Sequence, residues 1–137
     1  MSGIKAGSDI VIGSRYLPDS LIAVRQPWYR VMIGRLGNVL IQLLILDGIA
    51  DTQCGFKAFS YEAGKQVFSR QRNPRWAFDM EILAIARHMG YKILEVPVTW
   101  RNDTNRASRL RAARDGYRTL VDLMIIKLNL MSRKYHE

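Results

Sequence analysis

The chain has 137 residues, of which 48% are hydrophobic, and it carries 21 Lys and Arg against 12 Asp and Glu, a formal net charge of +9. This length and composition suit one globular domain with its own core. The single cysteine, Cys54, excludes an internal disulfide and a cysteine-based zinc site, and it suits a reducing compartment. The positive charge favours nucleic acid, an anionic membrane surface or a phosphorylated substrate as partner, without choosing among them.

The sequence shows neither of the two common membrane-targeting signals. The first residues lack the apolar block of a signal peptide. No run of about 18 uninterrupted apolar residues occurs, so we expect no membrane-spanning helix.

The first predicted element is a strand at residues 9–13 (DIVIG), because a nearly unbroken apolar run is typical of a strand covered on both faces. Ser14 and Arg15 follow it. Loops at the carboxyl ends of strands bind ligands in α/β proteins, so Arg15 is placed where a ligand could meet it. The alternative interpretation of Arg15 is a solvated loop arginine.

A loop at residues 16–24 precedes a long helix. Pro27 suits the first turn of a helix, which we expect to run to about residue 46 and to end at Gly48. Arg30 belongs to its basic first half. Its second half is apolar on most faces, which predicts burial in preference to contact with lipid.

The central motif of the chain is residues 51–59 (DTQCGFKAF). Gly55 permits backbone conformations that other residues avoid, so the motif predicts a shaped loop that leads into a strand at residues 56–59. A simple turn before a buried strand is the alternative.

Two helices are predicted next, one at residues 61–70 capped by Ser60 and one at residues 80–89 capped by Asp79. Capping is a complete structural explanation for Asp79. Residues 92–100 (KILEVPVTW) then predict a strand, in which Pro97 indicates an edge or a bulge.

The C-terminal region combines a polar stretch at residues 101–109 with an amphipathic helix at residues 109–131. A basic amphipathic helix either packs on its own domain or lies on an anionic membrane, and both remain open. We expect the tail at residues 132–137 to fray.

Three motifs carry a resemblance to a known family: residues 13–15 (GSR), 51–59 and 76–86 (WAFDMEILAIA). Together they resemble the C-terminal half of family 2 glycosyltransferases, in particular those that move a sugar from a nucleotide to dolichyl or other polyprenyl phosphates. The resemblance, from about residue 9 to about residue 109, implies a partial GT-A fold of the α/β class. That fold would be a mixed sheet with flanking helices, lacking its N-terminal nucleotide-binding half. Residues 1–137 would form a single, acceptor-side domain.

The resemblance also implies roles for individual residues. Ser14 and Arg15 would bind phosphate groups, and Arg30 aligns with an arginine that contacts the acceptor phosphate. The loop beside the donor sugar would contain Asp51, Gln53 and Gly55.

Two aspartates are candidate catalytic groups by the same resemblance, Asp51 and Asp79. Asp79 stands where many inverting members keep the aspartate that deprotonates an acceptor hydroxyl. A phosphomonoester is already largely ionised at neutral pH because its second pKa is about 6. We therefore favour a positioning role for Asp79.

Complete family members hold Mg²⁺ or Mn²⁺ at an Asp-x-Asp motif, because hard cations prefer carboxylate oxygens and neutralise the donor diphosphate. This chain has no Asp-x-Asp. We therefore expect no metal site in it, and no sugar transfer by it alone.

The leading hypothesis is the acceptor-side part of an inverting glycosyltransferase, using a nucleotide-sugar donor and a polyprenyl-phosphate acceptor at the cytoplasmic face of a membrane. Two alternatives come from other classes. One is a non-catalytic membrane-associated domain. The other is a small basic nucleic-acid-binding protein, which is disfavoured because no helix-turn-helix, zinc or RNA-recognition signature is present.

Overall fold

The computed structural model describes residue 4 and residues 7–23, 27–101 and 112–135, with the side chains of residues 30 and 112–115 outside that description. Within these residues, the chain forms four helices and five strands. The helices are α1 (Trp28–Leu44), α2 (Tyr61–Arg70), α3 (Phe78–His88) and α4 (Ala112–Met131). The strands are β1 (Ile10–Ser14), β2 (Leu21–Ile22), β3 (Lys57–Phe59), β4 (Ile93–Pro97) and β5 (Thr99–Trp100).

Strand β1 is the centre of a mixed sheet with the order β3-β1-β4. It pairs antiparallel with β3, with Ile10 opposite Phe59, and parallel with β4, with Ile10 opposite Ile93 and Ser14 opposite Pro97. All five residues of β1 are buried, which confirms the strand predicted from the apolar run. Because β1 and β4 are parallel, their carboxyl ends meet at the same edge of the sheet.

A second, two-stranded sheet lies beyond that edge. β2 and β5 pair in parallel, with Leu21 opposite Thr99 and Ile22 opposite Trp100. The strand predicted at residues 92–100 is therefore two strands, which separate after Pro97. The Val98 carbonyl accepts a hydrogen bond from the backbone N–H of Leu21, which moves this part of the chain to a new partner.

The starts of two helices were predicted correctly, and that of a third was not. Helix α1 begins after Pro27, and the Ser60 hydroxyl caps α2 by accepting the backbone N–H of Ala63 at 3.3 Å. Helix α3 has Ala77 at its N-cap, so the prediction that Asp79 caps it is wrong. Asp79 lies in the first turn, where its carboxylate accepts from the side chain of Lys57.

Helix α3 is the centre of the hydrophobic core, since every residue from Met80 to Ala86 is buried. Ile10 and Ile12 of β1, together with Leu123 and Ile126 of α4, belong to the same core. Tyr135 is also part of it.

The prediction that the tail frays is wrong for residues 132–135, the part of the tail that the structure describes, because Tyr135 is only 1% exposed. Its hydroxyl donates to the buried carboxylate of Glu81 at 2.7 Å and accepts from the Asn129 side-chain amide at 3.3 Å. Burial, more than the other contributions, raises the pKa of Tyr135. This network ties the end of α4 to α3.

Burial of the second half of α1 was predicted wrongly. Among its described side chains, Ile41 alone is buried, whereas Leu43 is 76% exposed. The other exposed large apolar residues of this helix are Trp28, Tyr29, Met32, Ile33, Leu36, Val39 and Leu40. Helix α4 also exposes apolar side chains, at Tyr117, Leu120, Val121, Met124, Ile125, Leu128 and Met131.

The described helices do not include one that is both long enough and apolar enough to cross a bilayer. The architecture is α/β with a mixed sheet, as predicted, and it is consistent with part of a glycosyltransferase fold.

Candidate functional site

A cavity of about 410 Å³ opens where β1 and β4 end, beside the central loop of residues 51–55. Its lining comes from three segments that are distant in sequence. They supply Arg15, Gln53, Cys54, Gly55, Phe56, Val98, Thr99 and Trp100. The cavity therefore lies where the sheet topology and the sequence motifs both predict a ligand site.

Arg15 is the charged residue of this lining, and hydrogen bonds to the Asp51 carboxylate hold its side chain in place. The guanidinium donates from Nε to Oδ2 of Asp51 at 2.7 Å and from Nη2 to Oδ1 at 2.9 Å. The backbone N–H of Arg15 also donates to Oδ2, at 3.0 Å. Asp51 is 2% exposed, so the carboxylate is buried and its hydrogen bonds to Arg15 compensate for lost hydration.

The pair shifts the pKa values of both partners toward the charged forms. Burial by itself raises the pKa of Asp51, but the hydrogen bonds and charge of Arg15 outweigh it and hold that pKa below its ordinary value. The hydrogen bond to Asp51 raises the pKa of Arg15 above its ordinary value, against the opposing effect of burial. Both groups are therefore ionised at neutral pH, and the negative charge of Asp51 offsets the positive charge of Arg15.

Aromatic rings flank the same guanidinium. Its central carbon lies 5.5 Å from the centroid of the Trp100 ring and 5.9 Å from that of Tyr16. Both distances are within the range of cation–π attraction. The two rings and the Asp51 carboxylate together limit the direction in which Arg15 can point.

The loop that carries Asp51 is held from two sides. On one side, the Glu95 carboxylate accepts the backbone N–H of Ala50 at 2.9 Å and that of Asp51 at 3.0 Å. On the other side, the side-chain amide of Asn38 donates to the Ala50 carbonyl. Strand β4 and helix α1 thus determine where the loop lies.

Lys57 connects Asp79 to the wall of the cavity. Its side chain is 6% exposed, and its Nζ donates to Asp79 Oδ1 at 2.7 Å and to the carbonyl of Cys54, a lining residue. Asp79 itself does not line the cavity. Its carboxylate is thus in an ion pair that supports the loop.

Gly13 allows the floor of the cavity to pack closely. A Cβ atom at this position would lie 2.6 Å from Val98 Cγ1 and 3.0 Å from Cys54 Sγ, both of which belong to lining residues. Only glycine fits between them without displacing a neighbour.

The structure brings together some of the predicted site residues and separates others. Arg15, Gln53 and Gly55 line the cavity, and Asp51 lies beneath Arg15. Ser14 is buried outside the lining, where its hydroxyl accepts the Tyr16 backbone N–H at 3.4 Å.

The backbone of Arg30 lies in α1, but its side chain is outside the described part of the structure. The roles predicted for Arg30 and for the other site residues remain predictions.

Several residues of the site were not singled out from the sequence, namely Cys54, Phe56, Val98, Thr99 and Trp100 of the lining and the supporting Glu95. The run EVPVTW at residues 95–100 contains four of these six, so this motif was the signal that could have located them. In the described residues, no group of three or more His, Cys, Asp or Glu side chains is placed to hold a metal ion.

Comparisons with known proteins give several relatives. The chain is 42% identical over 91 residues to a dolichyl-phosphate beta-glucosyltransferase of Trichomonas vaginalis and 41% identical over 92 residues to the human dolichyl-phosphate beta-glucosyltransferase. Each match covers 66% of this chain and 28% of the relative. The glycosyltransferase AglD of Haloferax volcanii is 36% identical over 92 residues, which cover 67% of this chain and 14% of the relative.

The matches with the two glucosyltransferases thus span little more than a quarter of those relatives' length. No family model matches the chain, and no solved structure matches it significantly. The curated relatives nevertheless confirm the resemblance that the three sequence motifs indicated.

Proposed function

Because the chain is related to the polyprenyl-phosphate glycosyltransferases of family 2, we propose that it supplies the acceptor-side part of an enzyme that transfers a hexose to a dolichyl-type phosphate. The donor would be a nucleotide sugar. The observation that carries this proposal is the cavity at the ends of β1 and β4, in which Arg15 has a fixed orientation.

The proposed reaction is an inverting displacement. An oxygen of the acceptor phosphate forms a bond to the anomeric carbon of the sugar, while the bond from that carbon to the donor diphosphate breaks and its electron pair leaves with the diphosphate. The acceptor phosphomonoester is already largely ionised at neutral pH, so no general base has to remove a proton. The ion pair of Asp79 with Lys57 suits a positioning role for Asp79.

Arg15 would bind a phosphate together with Arg30. The pair with Asp51 uses two N–H groups of the Arg15 guanidinium, one on Nε and one on Nη2, out of the five that arginine possesses. Other N–H groups are therefore left to donate to a phosphate oxygen in the cavity. Because Asp51 offsets the charge of Arg15, the pair leaves the charge of a bound phosphate uncompensated, and we assign to Arg30 a share of the compensation.

The donor diphosphate would be bound outside this part of the enzyme. The relatives are much longer than the matching region, and the described residues offer no cluster that fits a divalent cation. We therefore propose that the ligands of Mg²⁺ or Mn²⁺ belong to a donor-binding part and that this chain is inactive without it. Gln53 and Gly55, at the cavity, would lie beside the donor sugar.

The acceptor would reach the cavity from a membrane surface. Helix α1 exposes Trp28 at 74% and Leu43 at 76%, and α4 exposes a second set of apolar side chains. Apolar helix faces on a chain with net charge +9 suit insertion among the headgroups of anionic lipids. We propose peripheral attachment to the cytoplasmic face of a membrane.

The experiment that tests this function is sugar transfer from a nucleotide sugar to dolichyl phosphate by the complete enzyme that contains this segment. Arg15→Ala and Arg30→Ala should each lower kcat/KM about 100-fold or more, as expected when a fixed donor to transition-state charge is removed. Arg75→Ala is the control, because Arg75 is exposed and does not line the cavity. Near-normal turnover in both Arg15→Ala and Arg30→Ala would overturn the assignment.

A further inference from the structure

Glu95 makes an unusual use of its carboxylate. Both oxygens accept from consecutive backbone N–H groups, Oε2 from Ala50 and Oε1 from Asp51, although the residues are 45 and 44 positions away in the sequence. Within the described part of the chain, Glu95 forms no ion pair. Its hydrogen bonds therefore go to a loop backbone.

A carboxylate suits this task better than its nearest substitutes. Its two oxygens are both acceptors, so they can match two parallel N–H groups, and hydrogen bonds to a charged acceptor are roughly twice as strong as neutral ones. Glutamine would turn an NH₂ group toward one of the two N–H groups. Aspartate would be one methylene too short to reach both at the same time.

The loop held by Glu95 carries the group that orients Arg15. The backbone N–H of Asp51 donates to Glu95, and the side chain of Asp51 accepts from Nε and Nη2 of Arg15. Only one residue, Asp51, separates Glu95 from the guanidinium in this series of hydrogen bonds. Glu95 does not line the cavity, so it is placed to act on a ligand through Arg15.

We propose that Glu95 is a positioning residue for the transfer reaction, which fixes the backbone of Asp51 and thereby the direction of Arg15 in the cavity. This inference rests on the proposed function. Asn38 assists from helix α1, because its side-chain amide donates to the Ala50 carbonyl and holds the other side of the same loop.

The first test is a double-mutant cycle in the complete enzyme. Glu95→Gln should lower kcat/KM for dolichyl phosphate about tenfold. This factor of ten corresponds to a loss of about 1.4 kcal/mol in transition-state binding. In an Arg15→Ala background the same substitution should have little further effect. The matched control is Glu62→Gln on helix α2, since Glu62 is exposed and does not line the cavity.

A tenfold loss that persists in the Arg15→Ala background would overturn the proposal, because Glu95 would then act by another route. An unchanged kcat/KM in Glu95→Gln would overturn it as well.

The second test does not depend on activity. NMR exchange of the Arg15 Nε–H proton with water reports the hydrogen bond to Asp51, and Glu95→Gln should accelerate that exchange about tenfold. Asn38→Ala is a second variant on the other side of the loop and should accelerate it in the same direction. Exchange at the wild-type rate in both variants would overturn the link from Glu95 to Arg15.

The two tests separate the two proposals. A complete wild-type enzyme that transfers no sugar to dolichyl phosphate would contradict the proposed function. The exchange rates would still show whether Glu95 holds Arg15.

Discussion

The Asp51 carboxylate meets the Arg15 guanidinium side-on, with 2.7 Å between Oδ2 and Nε and 2.9 Å between Oδ1 and Nη2. The pair joins residues that are 36 positions apart and holds the end of β1 against the loop that precedes β3. Because the carboxylate is buried, the free energy of this pair depends on both partners remaining charged.

Asp51→Asn should therefore destabilise the fold at neutral pH, by about 1–3 kcal/mol, because a charged acceptor of several hydrogen bonds is lost. The pKa of Asp51 is lower in the folded than in the unfolded chain. The ionised Asp51 carboxylate therefore makes its full contribution to the free energy of unfolding at pH values above the unfolded-state pKa of 3.8. This contribution is lost as pH falls through the folded-state pKa, which lies below 3.8.

Urea unfolding of wild type and Asp51→Asn as a function of pH measures this difference. Asp19→Asn is the control, because Asp19 is an exposed loop residue. Asp51→Asn and wild type will differ in their free energy of unfolding. If this difference stays constant from neutral pH to pH values well below 3.8, the stabilising role of the ionised Asp51 carboxylate is contradicted.

Gly13→Ala should destabilise the protein by about 1–3 kcal/mol, the usual cost of overpacking a core position. The new methyl group would overlap Val98 Cγ1 at 2.6 Å, and a shift of Val98 would alter the cavity. Gly37→Ala is the matched control, since nothing lies within 4 Å of a Cβ there and the residue is inside helix α1. This control should stabilise by about 0.5–1 kcal/mol. Equal melting temperatures for the two variants would disprove the packing argument.

Tyr135→Phe should cost about 1–3 kcal/mol, because Glu81 loses a buried hydrogen-bond donor. Glu81 would keep its bonds from the backbone N–H groups of Arg72 and Asn73. Tyr61→Phe is the control, because Tyr61 is exposed and begins helix α2. Thermal unfolding of the two variants at neutral pH provides the comparison.

Tyrosine ionisation provides a second measurement for the same contact. The folded-state pKa of Tyr135 is raised, so its stabilising contribution is complete below the unfolded value of 10.0 and declines as pH rises through the folded value. In an absorbance titration, Tyr135→Phe should therefore remove a phenol whose pKa lies above the ordinary value of 10.0. Removal of an early-titrating phenol would show that Tyr135 is not buried as described.

Leu43→Glu and Leu36→Glu should weaken sedimentation with anionic liposomes, because each places a charge on the apolar face of α1. Ser69→Glu adds the same charge at an exposed position of α2 and is the matched control. An equal decrease in all three variants would attribute binding to net charge alone.

The elements with a strong local signal were predictable from the sequence. The apolar run of β1, the proline before α1 and the serine before α2 each fix a structure through their nearest neighbours. β2 and β5 have two residues each, too few for any periodicity, and they form because the chain turns away from β4 at Pro97.

Tertiary contacts explain the remaining differences. Asp79 was predicted as a cap because of its type, yet its carboxylate pairs with Lys57, which is 22 positions earlier. The apolar character of α1 does not reveal what covers the helix, so burial could not be deduced from it. Arg15 was located from its motif, whereas its partners Trp100 and Asp51 and the support from Glu95 come from distant strands and loops.

The parallel alignment of β1 with β4 places Ile12 opposite Glu95 and Ser14 opposite Pro97. Side chains alternate between the two faces of a sheet, so a slip of one residue would turn Glu95 to the opposite face, away from the Asp51 backbone. An inserted or deleted residue between Ile93 and Glu95 would thus remove both Glu95 hydrogen bonds from the loop that orients Arg15, even if every lining residue were kept. The number of residues along this strand is as much a chemical requirement of the site as their identity.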